Sequence, residues 1–353
     1  MMSAQAKKRR EELRDALRRI VALAREREVD ALTIGGDLYE HDRVTDDTGH
    51  FLARQFEEFG KPVLIAPGNH DPYLPGSLYR RIAWPDNVHI FGSDGWQRVE
   101  AGGVAVWGIG HNAPDVHDNY LRDLRLNGDE TSVVLLHGSD MSAVPEGKTA
   151  HCPFDVEDVA GCGAAFVLLG HYHGLRLRPE GAARYGYPGS PEPLGFDEEG
   201  AHYVLLLTVN GGRATAEALP INDVHYRTER IDVGSMVTSD QVREAIEQRA
   251  GDGGAASDIV RVVLEGEAAP ELNIDPEALL LTSAERFRYL DLVDDTDPAF
   301  DPDEISEERT TRGAFVQLMR QRMEEAAPEE RGTLERALVY GLQAFAGREV
   351  RPR

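Results

Sequence analysis

Apolar and polar positions alternate between helical and strand-like spacing over the first part of the chain. Residues 6–28 place apolar side chains three or four positions apart among Arg and Glu, which predicts one long amphipathic helix. A strand-like run, VDALTIGGD, comes next, and helical spacing returns at 48–59 before a second run, KPVLIAPGNHD. This β-α-β order predicts an α/β fold with a layered, parallel or mixed sheet.

Further strand-like runs continue until about residue 209. They are NVHIF, GVAVWGI, TSVVLLHG, AAFVLLGHYH, ARYGYPG and HYVLLLTV. The later runs are short and follow one another closely. We therefore expect a second, more antiparallel sheet that packs against the first.

The pattern changes after residue 218. Residues 219–293 contain a strand, a helix and two more strands, which predicts a small α+β capping domain. An acidic segment with prolines, VDDTDPAFDPDEISEE, predicts a linker, and amphipathic helices follow near 307–325 and 329–346. We therefore divide the chain into 1–218, 219–293 and 294–353.

The amino-acid composition argues against some classes of protein. The formal charge of −24 argues against a protein that coats nucleic acid through its overall field. It does not exclude a nuclease, because bound cations and a local arginine strip can reverse the sign inside a cleft. No run of about 18 apolar residues and no signal-peptide pattern is present, so we expect a soluble cytoplasmic chain without a membrane partner. Cys152 and Cys162 form no metal-type pair, so reduced structural thiols are expected.

Four strand-like runs end in side chains that can bind metals. These side chains are Asp37 in IGGD, Asn69, His70 and Asp71 in PGNHD, His137 in LLHG, and His171 and His173 in LLGHYH. Ligands collect at the carboxyl ends of strands in open α/β sheets. Imidazole, carboxylate and carboxamide donors together predict a site for a divalent transition metal. In extended backbone His171 and His173 would point to the same side and reach one cluster.

This set of motifs resembles the calcineurin-like metallophosphoesterases, whose signature includes G-D, G-N-H-D/E, a lone His and G-H-x-H. Two longer pieces, YPGSPEPLGFDEEGAHYVLLLTV and TRGAFVQLMRQRMEEA, are similar to the SbcD-type DNA repair exonucleases. The resemblance implies a layered α-β-β-α sandwich with mixed sheets over about residues 10–218. It also implies DNA as substrate and an SMC-like coiled-coil ATPase as partner, and it leaves a homodimer open.

The resemblance also implies a role for each metal ligand. Asp37 would bridge two divalent cations. Asn69, His137 and His171 would complete one site, and His173 would belong to the other. Mn²⁺ is the family's usual metal, and the mixed nitrogen and oxygen ligands are also compatible with Fe²⁺ or Zn²⁺.

Catalytic and substrate-binding roles follow from the same resemblance and from position. His70 would face the substrate and, as imidazolium, donate a proton to the leaving oxygen of a phosphodiester. Asp71 would orient the His70 ring. Arg43 and Tyr73 flank the metal loops, and His111 ends another strand-like run, so these three are candidate substrate contacts.

The family's first motif, D-x-H, has no counterpart here. The chain opens MMSAQAKKRREELRDAL, already helical, and no Asp precedes Asp15. The first core strand and two ligands of the site with His173 are therefore missing from the pattern. Either the sequence starts too late, or a natural protein has kept one metal site and lost or weakened its activity. His41 is a further candidate for a substitute ligand, and we expect about one tightly bound ion per chain.

Three functions stay open from the sequence. The first is a DNA exonuclease or endonuclease of repair that works with the ATPase. The second is a phosphoesterase that acts on small nucleotides or phosphoproteins, and the third is an inactive scaffold that binds the ATPase or DNA. An apolar stripe on the last two helices could pack internally or serve as a docking surface. It consists of Leu318, Met319, Met323, Leu338, Leu342 and Phe345.

Overall fold

The computed structural model describes residues 2–126, 131–144, 147, 149–250, 258–269 and 272–345. The chain divides into two units, Met1–Val224 and His225–Arg353. The division lies near the predicted boundary at 218. No helix in the described ranges is long and apolar enough to cross a membrane.

The first unit begins with alternating helices and strands. They are α1 (Met2–Glu26), β1 (Leu32–Ile34), α2 (Asp46–Phe59), β2 (Val63–Ile65), α3 (Leu78–Arg81) and β3 (Val88–Ile90). The three strands form a parallel sheet in the order β1-β2-β3, with Leu32 opposite Val63 and Val63 opposite Val88. Helix α2 ends at Gly60, whose φ of 75° requires the left-handed conformation that glycine adopts without strain.

A second, six-stranded sheet follows in the order β4-β5-β6-β7-β9-β8. Its elements are β4 (Gln97–Ala101), β5 (Val104–Gly108), β6 (Ser132–His137), α4 (Val156–Cys162), β7 (Phe166–Gly170), β8 (Arg176–Arg178) and β9 (Tyr185–Tyr187). The centre, β5-β6-β7-β9, is parallel, and only the two edge pairs are antiparallel. The second sheet is thus more antiparallel than the first, as predicted, although its antiparallel pairs lie only at the two edges. A separate antiparallel hairpin joins β10 (Tyr203–Asn210) to β11 (Arg213–Pro220).

The period-two pattern of the strands explains the layering. In β6, Val133 and Leu135 share a buried cluster with Leu64 of β2, so the two sheets face each other. Val134 and Leu136 point to the opposite face, into a cluster that includes residues of α4. On the outer side of the first sheet, α1 and α2 pack against β2. The predicted α-β-β-α sandwich with mixed sheets is confirmed.

The second unit is built on a three-stranded parallel sheet, β12-β13-β15, and a short parallel pair, β14-β16. Its strands are β12 (His225–Asp232), β13 (Asp258–Glu265), β14 (Glu267–Ala268), β15 (Tyr289–Asp294) and β16 (Asp297–Pro298). Its helices are α5 (Ser239–Gln248), α6 (Pro276–Ser283), α7 (Pro302–Ser306), α8 (Thr311–Glu325) and α9 (Pro328–Phe345).

Two parts of this unit differ from the sequence prediction. Helix α6 was missed because its apolar block has no helical period, although Asp275 caps its start and Pro276 occupies the first turn. The segment predicted as a linker forms β16 and α7, and α7 has the same Asp-Pro start, at Asp301 and Pro302. Residues 251–257 and 270–271 of the predicted capping domain, and residue 346 of the last predicted helix, lie outside the described ranges.

The apolar stripe of the last two helices divides between core and surface. Met319, Leu338 and Leu342 pack in a cluster with residues of α7 and α8, and Met323 is partly buried against it. Leu318 and Phe345 are exposed. Internal packing therefore uses most of the stripe.

Candidate metal centre

The loops after β1 and β2 approach each other closely. Asp37 lies at a φ of 55° and follows Gly36 at a φ of 90°, so the chain turns sharply as soon as β1 has ended. A Cβ atom at residue 36 would lie 2.6 Å from the amide nitrogen of Gly68. Glycine is therefore required for the two loops to meet. The amide of His70 donates to the carboxylate of Asp37 at 2.9 Å and joins the loops directly.

Four of the five predicted ligands lie together at the ends of β1, β2, β6 and β7. Donor atoms of Asp37, His137 and His171 all lie within 4.8 Å of one another. The Oδ1 atom of Asn69 lies 2.9 Å from Nε2 of His137, and Oδ2 of Asp37 lies 3.3 Å from the same nitrogen. The arrangement is a compact set of two imidazoles, one carboxylate and one carboxamide.

The protonation state of His137 tests whether this set fits a cation. Its Nδ1 lies 2.7 Å from the carbonyl oxygen of Gly35, which can only accept, so Nδ1 carries the proton. Burial lowers the pKa of His137 to about 3, so the ring is neutral. The Nε2 lone pair therefore faces the oxygens of Asn69 and Asp37 without a hydrogen between them. Electron-rich atoms that converge in this way fit a divalent cation, and a carbonyl that fixes the other ring nitrogen is the usual support of such a ligand.

His171 and His173 do not share one environment. The φ of His171 is 117°, so the chain leaves the extended conformation directly after β7. Burial lowers the pKa of His171 to about 3, which keeps this ligand neutral as well. His173 instead places Nδ1 2.6 Å from a carboxylate oxygen of Glu198, and 53% of its side chain is exposed. His173 is not among the three donors that lie within 4.8 Å of one another, although its charge acts on Asp37, His137 and His171. That both histidines reach one cluster therefore stays a prediction.

Asp71 has a different partner from the one predicted. Its carboxylate is fully buried and accepts from the backbone amides of Asp37, Leu38 and Gly68 at 2.9, 2.7 and 2.6 Å. The hydroxyl of Tyr79 donates to it at 2.5 Å. Burial raises the pKa of Asp71 to about 6, while these hydrogen bonds favour the charged form. The prediction that Asp71 orients the His70 ring is corrected: Asp71 clamps the two ligand loops together.

The His70 ring contacts Glu40, which the sequence analysis did not select. Nδ1 of His70 lies 3.0 Å from Oε1 of Glu40, and half of the His70 side chain is exposed. Burial lowers the pKa of His70, but the hydrogen bond with Glu40 and the charges of Asp37 and Asp71 outweigh it, so the pKa lies above its ordinary value. An exposed imidazole with a raised pKa is suited to proton donation.

The three candidate substrate contacts differ in position. His111 is fully buried, and its Nε2 donates to the carbonyl of His137 at 2.8 Å, so its predicted contact with substrate was wrong and it supports a ligand instead. Tyr73 is half-buried under the Arg80 guanidinium, 5.7 Å from its ring centre. Arg43 is exposed. Substrate contact by Tyr73 or Arg43 stays a prediction.

His151 lies beside the candidate centre, although no strand end marks it in the sequence. Its ring centre lies 5.6 Å from that of His171, and its Nδ1 lies 3.7 Å from Asp115. His41, the candidate substitute ligand, does not belong to the group of His, Cys, Asp and Glu donors found in the described residues. The structure therefore places His151 beside the candidate centre, and the sequence pattern alone did not show this.

A buried hydrogen-bond network holds the two histidine loops in place. Tyr187 donates to the carbonyl of Gly138 at 2.8 Å and accepts from the amide of Asp140 at 3.1 Å. Tyr185 donates to the Asp140 carboxylate at 2.6 Å, and Tyr172 donates to the Asp140 carbonyl at 3.0 Å. Because Gly138 and Tyr172 each directly follow a ligand histidine, the network fixes the spacing of the two ligands. The sequence contained no signal that predicts this network.

Residues 7–175, which contain all the residues of the candidate centre, match the family model of the calcineurin-like phosphoesterases. This part of the chain is similar to the calcineurin-like phosphoesterases. The family is metal-dependent, and among the described residues Asp37, His137 and His171 form a group that could hold the ion. The match supports a hydrolase of phosphoesters and leaves its substrate open.

Two curated relatives extend this phosphoesterase likeness beyond the family model. The uncharacterized metallophosphoesterase YhaO of Bacillus subtilis strain 168 is 27% identical over 295 residues, which cover 78% of this chain and 71% of that protein. The DNA double-strand break repair protein Mre11 of Haloferax volcanii is 28% identical over 325 residues, which cover 85% of this chain and 69% of that protein. The crystal structure of TT1561 of Thermus thermophilus is 18% identical in sequence. Its similarity covers 58% of this chain and 92% of the TT1561 chain, with a TM-score of 0.38.

Proposed function

We propose that this chain is a metal-dependent phosphodiesterase that cuts DNA during repair in the cytoplasm. The observation that carries the proposal is the convergence of Asp37, Asn69, His137 and His171, with an unprotonated Nε2 of His137 facing two oxygens. The likeness to an archaeal DNA double-strand break repair protein supports DNA as the substrate, since it extends over 325 residues and therefore beyond the 7–175 region.

The residues around the centre supply separate parts of the reaction. A divalent cation held by the four ligands, Mn²⁺ in this proposal, would polarise the phosphodiester and lower the pKa of the attacking water. Asp71 keeps the loops of Asp37 and Asn69 at a fixed distance through buried hydrogen bonds. His70, charged through its contact with Glu40, donates a proton to the leaving oxygen.

An SMC-like coiled-coil ATPase is the proposed partner, because the TRGAFVQLMRQRMEEA segment resembles the SbcD-type nucleases. That segment contains the whole of α8, where Leu318 is exposed beside the buried Met319. The exposed apolar positions of α8 and α9 are available for such a contact. A pull-down with the matching ATPase that survives deletion of residues 304–353 would contradict this part of the proposal.

A scaffold that binds one cation without hydrolysis is the second candidate. In its favour, the donors found together among the described residues, Asp37, His137 and His171, could hold one cation, whereas a two-metal mechanism needs ligands for both. The two candidates differ in one measurable property, the hydrolysis of a phosphodiester bond.

A nuclease assay with Mn²⁺ separates them. We would compare the wild-type chain with Asp37→Asn and His70→Ala on an end-labelled DNA duplex and on bis-p-nitrophenyl phosphate. The proposal expects cutting of both substrates by wild type, loss of both in Asp37→Asn, and a loss of about 100-fold or more in His70→Ala. Cutting of the small ester alone would favour a phosphoesterase for small substrates, and no cutting by wild type would favour the scaffold.

A further inference from the structure

Two arginines near the centre are not paired with carboxylates. The chain has 62 acidic and 38 basic residues, so most arginines are expected to meet an acid. Many do. Examples are Arg14, Arg19, Arg81, Arg261 and Arg312. Arg176 and Arg178 have no carboxylate partner within the described residues, and both are exposed.

Their neighbours are tyrosines instead. The Arg176 guanidinium lies over the ring of Tyr172, 4.6 Å from the ring centre. Arg178 lies within hydrogen-bonding reach of the Tyr185 hydroxyl. Stacking on an aromatic ring orders a guanidinium without neutralising its charge, so the hydrogen-bond donors around its rim remain available.

Strand geometry places both arginines on one face beside the metal centre. In the antiparallel pair β8-β9, Arg176 lies opposite Tyr187 and Arg178 opposite Tyr185, while Leu177 points to the other face and packs into the core between the sheets. β8 is the edge strand of its sheet. Since Tyr172 directly follows His171, and their ring centres are 5.2 Å apart, a single aromatic ring separates the Arg176 guanidinium from a ligand of the centre.

We propose that Arg176 and Arg178 form a phosphate-binding ridge that holds the backbone of the DNA substrate beside the metal centre. The proposal rests on the proposed function and adds the surface along which the strand lies. Two guanidiniums on alternate positions of one strand can each bind a phosphate through paired hydrogen bonds. They supply local positive charge that a chain with a net charge of −24 needs in order to approach a polyanion.

The test is the salt dependence of DNA binding by the full chain, measured by fluorescence anisotropy with a short blunt duplex and chelator present so that nothing is cut. Removing one phosphate-binding arginine should reduce the slope of log affinity against log salt by about 0.9. We expect the Arg176→Gln/Arg178→Gln variant to reduce the slope by about 1.8 and to bind at least about tenfold more weakly at about 100 mM salt. The matched control, Arg54→Gln/Arg213→Gln, removes two exposed arginines elsewhere in the first unit and should keep the wild-type slope.

Two further variants and one small substrate distinguish a phosphate-binding ridge from damage to the fold or to the metal centre. The Arg176→Lys/Arg178→Lys variant should keep the slope, because the charges remain. Hydrolysis of bis-p-nitrophenyl phosphate should be unchanged in all these variants. A wild-type slope in the glutamine variant, or an equal reduction in the glutamine and lysine variants, would overturn the ridge alone. Failure of the wild-type chain to bind DNA would overturn the proposed function with it.

Discussion

His171 and His173 stand two residues apart and lie in opposite environments. His171 is desolvated, neutral and grouped with Asp37 and His137. His173 is half-exposed and hydrogen-bonded to Glu198, whose other carboxylate oxygen accepts from Ser190 at 2.8 Å. The first environment is buried and contains a group of converging donors, whereas the second is half open to solvent, and there Glu198 holds Nδ1 of His173 and leaves Nε2 free. The two histidines of a G-H-x-H motif can therefore differ in burial and neighbours, and we predict that the ion beside His171 is the more tightly bound.

The largest expected effect comes from removing a ligand on the His171 side. Asp37→Asn or His137→Ala should weaken the affinity for Mn²⁺ at least about 100-fold, because each removes a donor from a preformed group. His173→Ala should change the affinity for the first ion less than about threefold. Isothermal titration calorimetry measures the Mn²⁺ affinity of all three variants. Comparable losses of affinity in the His173 and His137 variants would contradict the difference proposed between His171 and His173.

Metal removal should lower the stability of the fold through the group of Asp37, His137 and His171. At a free Mn²⁺ concentration about 100 times the Kd, the bound ion adds about 2.7 kcal/mol to the free energy of unfolding. Chelation should therefore lower the Tm of wild type and of His173→Ala, and leave that of Asp37→Asn unchanged. Thermal unfolding followed by fluorescence provides the measurement, and a Tm shift in Asp37→Asn equal to that of wild type would contradict it.

The buried tyrosine network should matter less than the ligands it supports. Tyr187→Phe leaves the carbonyl of Gly138 and the amide of Asp140 without a buried partner, which should cost about 1–3 kcal/mol of stability. Because the loop of His137 then loosens, the affinity for Mn²⁺ should fall about tenfold. Tyr289→Phe, the same change at an exposed site in the second unit, is the control. A stability loss with unchanged affinity would limit the network to packing.

The smallest expected effect concerns the pH dependence of His70. The contact with Glu40 raises the pKa of His70, so the ring stays protonated to higher pH and the pair stabilises the fold until the pH rises through that pKa. Glu40→Gln should lower this pKa and move the loss of activity with rising pH to lower values. NMR titration of the His70 ring gives the pKa directly, and an unchanged titration curve would remove Glu40 from this role.

The metal ligands that follow the strands were predictable, because the carboxyl ends of parallel strands meet at one edge of a sheet. Asp37, Asn69, His137 and His171 could therefore be chosen from apolar runs alone. The direction of His173 could not be predicted in this way, since the backbone turns at His171, with its φ of 117°.

Side chains that serve the backbone were harder to predict from the sequence. Asp71 binds three amides whose positions depend on how two distant loops meet. Helix α6 and the ordered linker had clear starts at Asp275 and Asp301. Apolar periodicity was the wrong signal for them, because a short helix without an amphipathic pattern is visible only through its cap.

The number of tightly bound cations per chain tests the central claim most directly. After dialysis against Mn²⁺ and removal of weakly held ions, metal analysis of wild type should find about one ion per chain, held by the group of Asp37, His137 and His171. The same value should be found in His173→Ala, and none in His137→Ala. No retained ion in wild type, or one ion that survives in His137→Ala and disappears in His173→Ala, would contradict the account.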